Sequence, residues 1–138
     1  MRFKTLGGSE QVKTMPKGKI IVVLLGAYAL CVALACGLWQ YPALLTGCYV
    51  IISIMLFWRW HAPSDVVCYV VAFILGPLGE IFAVAFGAWS YSQPFYFIPT
   101  WLPFLWGLAI LVLKNLSETL LTSSKSSESK KQRFVIKR

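Results

Sequence analysis

The chain has 138 residues, enough for one domain of ordinary size. It is 58% hydrophobic and only 13% charged, with a mean hydropathy of +0.69 and a formal net charge of +8. A soluble domain this small buries too little surface to hide so much apolar area, which excludes a soluble enzyme, a disordered chain, a disulfide scaffold and a DNA-binding domain and leaves an integral membrane protein.

Residues 1–19 form a basic tail carrying Arg2, Lys4, Lys13, Lys17 and Lys19. A helix needs about 20 mostly apolar residues to cross roughly 30 Å of hydrocarbon. Four stretches meet that length, over about residues 20–38, 42–58, 66–88 and 100–116. Around Cys36 the sequence Ala33-Leu34-Ala35-Cys36-Gly37 loosely imitates a lipoprotein cleavage site, but the first span is expected to be retained. Gln40, Tyr41 and Pro42 break spans one and two, and Pro suits a helix's first turn. Arg59, His61, Pro63, Ser64 and Asp65 separate spans two and three. Ser64 is expected to cap span three, with Asp65 in its first turn. Thr100 is expected to cap span four, whose length implies that Lys114 snorkels towards water. From residue 117 the tail is basic and Ser-rich, which predicts disorder.

All 13 Lys and Arg precede span one, lie between spans two and three, or come at and after the end of span four. The positive-inside rule then places both termini and the Arg59 loop in the cytosol. The expected fold is an all-α, four-helix transmembrane bundle with both termini cytoplasmic, in a prokaryotic cytoplasmic membrane. The basic excess serves orientation, and no nucleic-acid motif accompanies it. Cys31, Cys36, Cys48 and Cys68 fall inside apolar spans without a Cys-x-x-Cys pair, so no metal or cofactor is expected.

Apart from Lys114 at the end of span four, Glu80 is the one ionisable acid or base inside those spans. An acid at mid-membrane costs roughly 2.5–3.5 kcal/mol, so it should face the bundle interior. Counting back from residue 88 puts it about 13 Å below the outer surface. Pro77 cannot donate to the Phe73 carbonyl, which predicts a kink. Gly76, Gly79, Ala83 and Gly87 recur at helical spacing and would let another helix approach closely. Equal depth predicts a cluster of Glu80 with Tyr28, Tyr49 and Trp106, with Thr46 and Ser53 in reserve.

After Glu80 comes a Pro-restricted aromatic hairpin, from Trp89 through Tyr91, Pro94, Pro99 and Trp101 to Trp106. It reads as an interface belt or as a mouth leading to Glu80, with Trp89 and Trp101 as binding rings. Residues 76–110 carry Glu80, then Gly87-x-Trp89-x-Tyr91, then Pro99-x-Trp101-Leu102-Pro103-x-x-Trp106-Gly107. This pattern resembles small multispan prokaryotic membrane proteins and, faintly, membrane carotenoid-modifying proteins such as the small lycopene cyclase subunits. Four short spans and one buried Glu are also similar in architecture to the small multidrug-resistance transporters, which work as dimers.

The expected role is binding or transport of a lipophilic or cationic small molecule at Glu80. A membrane enzyme acting on an isoprenoid or lipid, with Glu80 as general acid, is one alternative. A structural or assembly subunit is the other. The bilayer is the expected partner, together with a second copy or another membrane subunit.

Overall fold

A computed structural model describes residues 16–60 and 62–136, with side chains through Thr122. The basic segment before Pro16, together with His61, Lys137 and Arg138, lies outside the described residues. Four helices follow one another: α1 (Lys17–Leu38), α2 (Pro42–Arg59), α3 (Pro63–Ala85) and α4 (Leu102–Ile136). Each is long and apolar enough to cross a membrane, the spanning part of α4 being Leu102–Thr122.

Prolines set two of the starts. Pro42 and Pro63 occupy the first turns of α2 and α3, where a missing N–H costs little. Between α1 and α2 the Tyr41 N–H donates to the Leu38 carbonyl at 2.9 Å, which keeps that turn tight. Pro77 sits buried inside α3, and the helix continues through it without a break.

α3 ends in a Schellman motif. The Gly87 N–H donates to the Val84 carbonyl at 3.0 Å, and the Ala88 N–H donates to the Ala83 carbonyl at 2.9 Å. Gly87 takes φ +76°, a conformation that an L side chain rarely adopts. The helix therefore stops at Ala85 rather than at residue 88. Gly87 terminates α3 rather than admitting a neighbouring helix.

α4 is the hub, touching each of the other three helices, while α1 also packs on α2. Thr46 near the start of α2 hydrogen-bonds Thr100 just before α4, at 3.0 Å between hydroxyls. Asp65 at the start of α3 pairs with Lys114, well along α4. So α2 and α4 run parallel, and α3 runs against them. The bundle has a tail end and a loop end, the latter formed by residues 39–41 and 86–101. The fully buried centre is Tyr49, Leu24, Leu45, Leu108 and Leu111. Large apolar side chains such as Val22, Ile51, Leu75 and Phe82 are exposed, as suits lipid-facing surfaces.

Three expectations about helix ends need correction. Ser64 does not cap α3: its Oγ accepts from Lys114 Nζ at 2.9 Å, and Asp65 is 3% exposed. Thr100 binds Thr46 instead of capping α4, which starts two residues later. Nor does disorder begin at residue 117, because α4 continues to Ile136. No Pro or Gly follows Gly107, so nothing in the backbone chemistry interrupts it.

Candidate functional site

The register of α3 against α4 decides what surrounds Glu80. Phe73 meets Phe104 edge to face with ring centroids 5.0 Å apart, and Gly107 receives the Tyr69 ring. Phe104 lies in the first turn of α4, whereas α3 runs on for three more turns past Phe73. Trp106 Cβ lies against Gly76, so Glu80, one turn further along α3, stands about level with the start of α4. Among the described residues, no α4 side chain donates a hydrogen bond to it. The segment that follows α3 turns back on it and brings Trp89 and Tyr91 to Glu80.

Among the described residues, both of Glu80's hydrogen-bond donors come from this loop. Trp89 Nε1 donates to Oε2 at 3.0 Å, and Tyr91 Oη donates to the same oxygen at 2.8 Å. An indole N–H can only donate, so Oε2 presents a lone pair here. Glu80 and Tyr91 are half-buried, and Trp89 is exposed. Burial, and then the carboxylate that Tyr91 faces, push its phenol up to about 12.

The expected companions of Glu80 are not among its hydrogen-bond donors in the described residues. Tyr49 is wholly buried, and its Oη donates to the Cys31 carbonyl at 2.8 Å. Trp101 lays its ring edge-on to Tyr49, centroids 6.2 Å apart, deep in the loop end. Tyr28 is exposed beside a small apolar cleft of about 20 Å³, where Cys31, Leu105 and Leu108 also lie. Trp106 seats its ring on Gly76, where a Cβ would collide with it. Of the reserves, Ser53 donates to the Tyr49 carbonyl at 2.8 Å and pairs with Tyr69 Oη at 2.8 Å. Thr46 donates to the Pro42 carbonyl at 2.7 Å. Of the small residues, Gly76 receives a ring, while a Cβ at Gly79 would meet open space. Ala83 is half-buried, and its carbonyl closes the Schellman motif.

A second polar cluster went unanticipated. The Lys114 ammonium binds Asp65 and Ser64, with Glu118 at 3.4 Å. Asn115 Nδ2 donates to Asp65 Oδ1 at 3.3 Å and to the Leu111 carbonyl at 2.9 Å. The available signal was Lys114 inside an apolar run, which calls for a carboxylate on an adjacent span. Gly107 was also missed as a packing glycine: a Cβ there would lie 2.7 Å from the Tyr69 ring. Among the described residues, no three His, Cys, Asp or Glu side chains gather in a way that would hold a metal ion.

The architecture defines a class: a multi-pass integral membrane protein of four helices, with an acid–aromatic site at its loop end. Comparison with protein-family models, curated proteins and solved structures finds no match to this chain.

Proposed function

We propose that this protein binds a lipophilic monovalent cation at Glu80, with the loop end facing away from the cytosol of a prokaryotic cell. One observation carries the reading: a carboxylate held by two neutral donors, both on Oε2, which leaves Oε1 for a ligand. From Ile81 through Leu113 the sequence contains no charged side chain, so neither the loop nor the facing part of α4 supplies a competing cation. Trp89 is exposed beside the acid, and aromatic faces favour cations within about 6 Å. The clustering of basic residues supports the orientation. Transport would add a second conformation in which Glu80 opens to the other side.

A structural reading has its own support. Both donors lie on the segment that follows Glu80 directly, so the carboxylate also pins the loop.

Equilibrium binding of radiolabelled tetraphenylphosphonium to the purified protein in detergent separates the two. The wild type should bind saturably, and Glu80→Gln should lose at least about tenfold in affinity, the 1.4 kcal/mol that one charge contact readily supplies. Equal binding by both proteins defeats the ligand reading. Intact binding with new protease sensitivity in residues 86–101 leaves Glu80 as a loop anchor.

A further inference from the structure

The tip of the loop carries three consecutive aromatic side chains that the Glu80 site does not use. Phe95, Tyr96 and Phe97 are 66%, 86% and 50% exposed. Pro94 and Pro99 flank them, and the Phe95 N–H donates to the Ile98 carbonyl at 2.9 Å, closing a four-residue turn. Tyr96 holds φ +63°, in the left-handed region that a bulky side chain seldom enters. The Phe95 and Tyr96 rings meet edge to face with centroids 5.0 Å apart. This turn therefore presents its rings outward together, against both backbone preference and the cost of wetting them.

We propose that the Phe95–Tyr96–Phe97 turn is an anchor that inserts into the headgroup–acyl boundary of the bilayer on the loop-end side. Three features select a lipid surface as the occupant. Exposure peaks at the middle residue of the turn, so the patch is convex and suits a fluid surface better than a rigid groove. Apolar exposure is not confined to the turn, because Phe82 and Phe86 are also exposed where α3 ends. The stretch from Ile81 to Leu113 is uncharged, and Tyr96 brings an apolar ring with a polar tip, the combination that membrane interfaces favour. An uncharged anchor is indifferent to lipid charge and to salt.

The test attaches bimane to Tyr96→Cys, and separately to Phe97→Cys, in a Cys36→Ala background. Each protein is reconstituted into phosphatidylcholine vesicles with the full chain present. Both labels should lose most of their emission to lipids doxylated just below the headgroup and little to aqueous iodide. The loss should be unchanged when a third of the lipid is phosphatidylglycerol or when salt is raised. Strong iodide quenching with no doxyl quenching places the tip in water and overturns the proposal. Protection from both quenchers places it against protein, such as a second copy, and overturns it too. Quenching that appears only with anionic lipid rules out an apolar anchor. None of these readings depends on cation binding at Glu80.

Discussion

Two carboxylates in the described helices are stabilised in opposite ways. Among the described residues, Glu80 has only neutral donors, whereas Asp65 has the Lys114 ammonium and the Asn115 amide. Replacing Asp65 with Asn would strip the half-buried Lys114 of its counter-charge. The expected cost is about 1–3 kcal/mol, below that of a fully buried pair because Lys114 is half-buried and Glu118 stays near it. The double change Asp65→Leu with Lys114→Met should cost less than Asp65→Asn alone, since no charge is then left unpaired. Melting of the purified variants in detergent measures both. Tyr91 yields a pH prediction. Its phenol titrates near 12, above the ordinary tyrosine value near 10. The raised value means that Tyr91 favours the folded loop fully below pH about 10, and that contribution fades as pH climbs towards 12. In Glu80→Gln the Tyr91 midpoint should fall, because the repelling charge is gone. It should remain above the ordinary value, because burial is the larger cause. Phenolate absorbance, taken as the difference from Tyr91→Phe, reads both midpoints.

Helices α3 and α4 are joined by exchanged rings. Gly107 of α4 accepts Tyr69 of α3, and Gly76 of α3 accepts Trp106 of α4. A methyl group at either position has to displace a bulky ring, so Gly76→Ala and Gly107→Ala should each cost about 1–3 kcal/mol. Gly79→Ala, which meets open space, should be neutral or stabilise by up to about 1 kcal/mol through helix propensity. Gly87→Ala should cost about 1 kcal/mol through its positive φ. Ranking these four by melting temperature tests the packing separately from any ligand. They also mark where sequence reading succeeds and fails. Existence and order of the helices were legible, because long apolar runs and Pro at helix starts are local signals. Which glycine faces a ring was not, since Gly76, Gly79 and Gly107 look alike until the register of two helices is known. Glu80 stood out as a lone acid for a local reason. Its partners did not, because depth counting started α4 at residue 100 and took α3 to residue 88. A loop that folds back on α3 is a tertiary fact with no local signature.

The bundle sorts charge by end, and this makes its orientation testable. Lys17, Lys19 and Arg59 lie at the tail end, where α3 begins and where α4 leaves the spanning region. Residues 39–41 and 86–101, at the loop end, contain no Lys or Arg. At 35 residues α4 is about 53 Å long, well beyond the roughly 30 Å of hydrocarbon it crosses. Its last 14 residues, past Thr122, therefore project about 20 Å from the tail end. The sequence of that projection includes Lys125, Lys130, Lys131 and Arg133. Moving such a helix across a bilayer opposes the strongest topogenic signal in the chain. Fluorescent-protein fusions at the N-terminus and at the C-terminus should thus both fluoresce in the cytosol. Alkaline phosphatase inserted after Ser92 should be active outside, and the same reporter after Arg59 should be silent. Opposite sides for the two termini would contradict four crossings. An active Arg59 reporter with a silent Ser92 reporter would invert the bundle and bring Glu80 to the cytosolic face.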